Sequence, residues 1–138
     1  MAQLVYPDGQ WTPFTPIWTV TGTAPTNYTI TGSFLKNGPV CHMRINIAMN
    51  ASFAHGSSTL WYVQTAAPCP SPANGSGLGQ VYFYDATGSA EAGIARCGPG
   101  STAWTLLTSA AVTPAYNVPF TWATNDFLTV TATYEVAP

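Results

Sequence analysis

Pro119-Phe120-Thr121-Trp122-Ala123-Thr124-Asn125-Asp126-Phe127-Leu128-Thr129-Val130-Thr131-Ala132-Thr133-Tyr134-Glu135 alternates side-chain character over its second half, with β-branched and aromatic residues throughout. Leu128, Val130, Ala132 and Tyr134 fall on one face, and Thr129, Thr131 and Thr133 on the other, the period of a half-buried strand. Asn125-Asp126 is turn chemistry, so the sequence predicts a hairpin between a short strand at Phe120–Trp122 and a longer one at Phe127–Glu135.

Working outward, the same alternation recurs between clusters of Gly, Pro and Asn, and no window carries helical periodicity. Its clearest instance is Val40 to Met49. There Cys41, Met43, Ile45, Ile47 and Met49 share one side, and His42, Arg44, Asn46 and Ala48 the other. Further strands are expected at Ile17–Thr21, Tyr28–Phe34, Thr59–Gln64, Leu78–Tyr84, Gly93–Cys97 and Ala103–Leu107. Short strands at this spacing predict an all-β fold, an antiparallel β-sandwich of jelly-roll type. The expected organisation is an extended N-terminal arm over 1–16 and a single β-sandwich domain over 17–138.

The arm differs from the rest because prolines at 7, 13 and 16 deny it a place in a central ladder. It also carries Trp11 and Phe14, followed closely by Trp18. Large aromatics on such a segment dock onto something, either their own domain or a neighbouring subunit. Trp11, Phe14 and Trp18 are therefore candidate assembly contacts.

Only 6% of the 138 residues are charged, against roughly 25% in an ordinary soluble domain. The surface must then consist of Thr, Ser, Asn, Gly and Pro, which suits either a Thr-rich soluble domain or a face covered by copies of itself or by a larger assembly. The formal net charge is −2, with Lys36, Arg44 and Arg96 as the only Lys and Arg residues. That argues against a nucleic-acid partner, which needs a cationic footprint. Met1 to Asp8 has neither the basic start nor the apolar run of a signal peptide, so synthesis and retention in a cytosol are expected, without membrane insertion. The sequons at Asn27, Asn50 and Asn74 are of a kind that such a composition produces by chance.

Catalytic chemistry finds little support in the residue types. The carboxylates are Asp8, Asp85, Glu91, Asp126 and Glu135, and glycoside hydrolysis would need two of them facing across a cleft. Asp8, Asp85 and Asp126 sit in turn contexts, where such side chains cap backbone amides. His42 and His55 lack metal-ligand spacing, Ser57-Ser58 lacks a nucleophile-elbow frame, and Gly75-Ser76-Gly77-Leu78-Gly79 precedes a strand without a lysine. No catalytic, metal or cofactor site is expected. Three cysteines, Cys41, Cys69 and Cys97, form no Cys-x-x-Cys pair, and a single bridge such as Cys69–Cys97 stays open. Trp61, Tyr62, Tyr82, Tyr84, Trp104 and Tyr116 could stack on sugar rings or fill the core. In Leu60-Trp61-Tyr62-Val63 and Val81-Tyr82-Phe83-Tyr84 both faces are apolar or aromatic, so one face must meet either a second sheet or another subunit, which points to oligomer burial more than to a sugar site. Trp61, Tyr62, Tyr82, Tyr84 and Trp104 are thus candidate glycan or subunit contacts.

The order of several pieces resembles the head domains of tailed-bacteriophage minor tail proteins and tail fibres. These pieces are Trp11-Thr12-Pro13 and Trp18-Thr19, Tyr28-Thr29-Ile30-Thr31-Gly32, Lys36-Asn37-Gly38, a strand with Arg44, and the Pro-Phe-Thr-Trp-Ala to Tyr-Glu ending. The departure is Cys69-Pro70-Ser71-Pro72-Ala73-Asn74-Gly75-Ser76-Gly77 in the middle. The resemblance implies a non-enzymatic virion component, a small minor tail protein at the tail or its tip, homotrimeric and in contact with host cell-envelope glycan. The stem of a full fibre is missing from the sequence, which keeps a capsid decoration protein on the phage head as an alternative. A carbohydrate-binding module is a further one. The expected location is the virion, with the host cytoplasm during assembly.

Overall fold

The structure is a computed structural model that describes residues 9–73 and 77–136. Among them are nine strands: β1 (Trp11–Phe14), β2 (Ile17–Thr21), β3 (Thr26–Asn37), β4 (Val40–Ala54), β5 (Thr59–Gln64), β6 (Gly77–Tyr84), β7 (Ala90–Cys97), β8 (Ala103–Leu107) and β9 (Phe127–Glu135). All pairings are antiparallel and form one continuous ladder in the order β1-β3-β4-β9-β6-β7-β8-β5-β2. The all-β antiparallel fold is as the alternation predicts. The hydrogen-bonded ladder does not divide into the two separate sheets of a jelly roll.

β1 and β2 are consecutive in the chain yet stand at opposite ends of this ladder, joined only through Thr15 and buried Pro16. The sheet therefore curls, and side chains from its far ends meet. The ring centroids of Trp18 on β2 and Tyr28 on β3 lie 4.7 Å apart, edge to face. Phe14 reaches Phe34, and a Cβ at Gly32 would lie 2.7 Å from the Phe14 ring and 2.6 Å from Pro16, so the glycine makes room for the crossing segment.

The concave face holds the core. From β4 come Cys41, Met43, Ile45, Ile47 and Met49, from β9 Leu128, Val130, Ala132 and Tyr134, and from β6 Val81 and Phe83. Each large aliphatic side chain so buried contributes about 1.5–3 kcal/mol relative to exposure. β5 and β8 add Trp61, Val63, Trp104 and Leu106, all fully buried. The rings of Trp18, Trp61, Trp122 and Phe83 form a chain of contacts with centroids 4.7–6.2 Å apart, within the range of favourable aromatic pairs.

Two expectations are corrected. Phe120–Trp122 is not a strand and no hairpin joins it to β9. The reason is topological: β9 lies between β4 and β6, so both of its hydrogen-bonding edges are occupied. Trp122 instead plugs the core, its indole N–H donating to the Val118 carbonyl at 3.1 Å. In addition, residues 11–14, read as part of an arm outside the sheet, pair with β3 from Trp11↔Leu35 to Phe14↔Gly32. Pro13 is tolerated because β1 is an edge strand and one side of its backbone needs no ladder donor. Asp8, the Asn74 sequon and the first two residues of the Gly75–Gly79 stretch lie outside the described residues.

Candidate functional site

The convex face of β4, β9, β6 and β7 is assembled by parity from the residues that the core leaves over. Cross-strand register places them in rows: His42, Thr133, Leu78 and Arg96; then Arg44, Thr131, Gln80 and Ile94; then Asn46, Thr129, Tyr82 and Ala92; then Ala48, Phe127, Tyr84 and Ala90. Two guanidiniums occur in these rows and no carboxylate. Leu78, Ile94 and Tyr82 are 62%, 50% and 42% exposed, a large apolar display for so central a part of the sheet. Tyr84 stacks on Phe127 with centroids 4.6 Å apart, and Tyr82 stands 6.0 Å from the same ring, giving an aromatic ladder.

Toward β1 the face dips into a groove of about 570 Å³ lined by Trp11, His42, Arg44, Leu78, Gln80 and Thr133, among others. Its size is that of a small-ligand site. The Arg44 guanidinium carbon sits 4.2 Å from the centroid of the Trp11 ring, while its Nε donates to Ser33 Oγ at 2.9 Å. A cation over an indole face at this distance is attracted by the ring quadrupole and orients both partners. His42 Nδ1 and Thr133 Oγ1 share a hydrogen bond of 2.9 Å along the groove floor.

The sequence-predicted residues separate into two groups. Trp61 and Trp104 are fully buried, and Phe14 and Trp18 nearly so, which places all four in the core of this protomer. Trp61 Nε1 donates to Ser58 Oγ at 2.9 Å, whereas the indole nitrogens of Trp18 and Trp104 find no acceptor among the described residues. Tyr82, Tyr84 and Trp11 do reach the convex face, and half-buried Tyr62 lies on it beside Thr105 and Thr19. Leu78, Gln80, Ile94 and Phe127 were not among the residues singled out from sequence. The signal was present in the strict alternation of β6, β7 and β9, which assigns them outward.

Three of the carboxylates are engaged in turns. Asp126, almost fully buried, accepts from the Ala86 N–H at 2.9 Å through Oδ1 and from the Ala123 N–H at 2.7 Å through Oδ2. Glu91 Oε1 accepts from Ser109 N–H and Oγ–H at 2.7 and 2.6 Å. Asp85 Oδ1 accepts from the Thr87 hydroxyl at 2.6 Å and its N–H at 2.9 Å, and these bonds, the hydroxyl first, hold its carboxyl below the ordinary range. His55 Nδ1 lies 2.6 Å from the Gly56 carbonyl, and its ring packs on Tyr116. Among the described residues no cluster of three His, Cys, Asp or Glu side chains converges as a metal site would require.

No protein-family model, curated protein or solved structure matches this chain.

Proposed function

We propose that this protein is a non-enzymatic structural component of a tailed-phage virion, a small minor tail protein whose convex face is covered in the assembled particle. The observation that carries the packing role is the apolar display of Leu78, Ile94 and Tyr82 on the convex face. Packing such a face buries this apolar area, and the two guanidiniums must stay at its rim or meet a carboxylate of the neighbour. Cyclic symmetry would bring identical copies of it around one axis, and a homotrimer is the arrangement proposed. The assignment to a phage tail rests on the likeness of the sequence pieces from Trp11 to Glu135. Multi-angle light scattering tests the packing: a trimer mass at micromolar concentration is expected, and a persistent monomer would overturn it. Mass spectrometry of separated heads and tails tests the location, with recovery in heads favouring a capsid decoration protein.

The groove beside Trp11 favours a second reading, a carbohydrate-binding module. An exposed indole, an oriented guanidinium, an amide and hydroxyls in one depression are the groups that hold a sugar ring and its hydroxyls. Here the expected outcome is retention of the protein on immobilised cell-envelope polysaccharide, lost in Trp11→Ala with the fold retained. Equal retention of that variant would exclude the groove.

A further inference from the structure

Arg44 is held against the wall of the groove with part of its guanidinium unused. Its Nε donates to Ser33 Oγ at 2.9 Å, and its guanidinium carbon rests 4.2 Å from the centroid of the Trp11 ring. The terminal nitrogens meet no acceptor among the described residues. No carboxylate lines the groove. Glu135, the carboxylate of β9, stands about 13 Å along that strand from Thr131, the cross-strand partner of Arg44. A guanidinium fixed at one edge presents the rest of its planar fork to an anion, and a carboxylate matches that fork through two parallel hydrogen bonds.

We propose that this groove binds an acidic saccharide, with Arg44 as the residue that takes the carboxylate of the sugar. The inference rests on the carbohydrate-binding reading of the groove and adds to it the charge of the ligand. A pyranose ring has an apolar C–H face and a rim of hydroxyls. Trp11 and Leu78, 43% and 62% exposed, supply apolar surface for the first, and Gln80, Thr131 and Thr133 supply an amide and hydroxyls for the second. The floor is made by β4, β9 and β6, whose edges are all paired, so it offers no open backbone for an extended peptide to join. Gly79 shapes that floor. A Cβ there would lie 2.2 Å from the Thr131 carbonyl oxygen, so the glycine permits an approach of β6 to β9 that a side chain would prevent. A neutral sugar would fill the same depression without engaging the free end of the guanidinium, and the acidic form is therefore preferred.

The test is calorimetric titration of the full chain with short oligogalacturonate and oligosialate, each as the acid and as its methyl ester, which keeps the ring and hydroxyls and removes the charge. Binding of at least one acid, with its ester about tenfold weaker or more, is the expected result. Arg44→Gln should lose the same factor for the acid and nothing for the ester. Arg96→Gln removes a guanidinium of the same face that does not line the groove, and should leave both unchanged. The comparison of acid with ester uses the unaltered chain, so it decides the matter even if Arg44→Gln fails to fold. Equal binding of acid and ester, lost together in Trp11→Ala, would overturn the acidic preference and leave the sugar groove standing. Binding of neither form would overturn both. Equal losses in Arg44→Gln and Arg96→Gln would also overturn the proposal, by assigning the attraction to overall charge, as would tetraglutamate binding as tightly as the acidic sugar.

Discussion

β5 and β6 carry similar words, Leu-Trp-Tyr-Val at 60–63 and Val-Tyr-Phe-Tyr at 81–84, and in each the structure sends one ring inward and the tyrosines outward. Trp61 is sealed in the core, packed edge to face on Trp18 and against Trp122. Tyr82 stands on the convex face, part of the ladder with Tyr84 and Phe127. Residue type agrees with the division, since Trp61 and Phe83 face inward and Tyr62, Tyr82 and Tyr84 outward. What separates them is which parity the neighbouring strands have already committed inward. Val81 and Phe83 face Val130 and Leu128 of β9, which forces Tyr82 and Tyr84 outward.

The largest expected effect breaks the inner member. Trp61→Ala empties a site that the curled sheet cannot fill by collapse, and should cost about 3–5 kcal/mol in chemical denaturation. A loss below 1 kcal/mol would mean that the indole is not the centre of the core.

Next is Asp126, the residue that connects the two regions, since it holds the turn immediately before Phe127. Asp126→Ala removes the buried carboxylate that accepts from the Ala86 and Ala123 N–H groups and should cost about 1–3 kcal/mol. Amide hydrogen exchange should accelerate at these two positions before it does in β4.

The outer member should respond differently. Tyr82→Ser is expected to change stability by no more than about 0.5 kcal/mol. The same variant should lower the mass seen by light scattering if the convex face is where copies meet. Destabilisation on the scale of Trp61→Ala would erase the distinction between the two strands.

The smallest effect is electrostatic and lies in the β6–β7 turn, at the end of the outer ladder. Asp85 has a lowered folded-state pKa, so its contribution is present above the unfolded value and disappears as pH falls through the folded one. Thr87→Val removes the hydroxyl donor and should move the Asp85 titration, followed by NMR, back toward the ordinary carboxylate range.

Much of this fold was legible because alternation over β4, β6 and β9 assigns inward and outward residues without ambiguity. The closing stretch shows where that legibility stops. Phe120-Thr121-Trp122 has strand composition, but its neighbour β9 has no free edge, and edge occupancy is a property of the whole ladder, invisible to local sequence. β1 was missed for the converse reason: Pro13 forbids a central position, and only the tertiary arrangement offers an edge. The groove was harder still. Trp11, Arg44 and Leu78 come from three strands separated by β3 and β9, and no spacing along the chain announces their meeting.

The position of β9 also dictates when the sheet can be completed. β4 and β6 are bridged only by residues 127–135, so a chain emerging from the ribosome has two incomplete half-ladders until that stretch has been made. Their apolar inner faces, Ile45 and Ile47 on one side and Val81 and Phe83 on the other, must wait for the last strand to zip between them. Synthesis of residues 127–135, rather than the growth of any early hairpin, is then the event that lets the two half-ladders join.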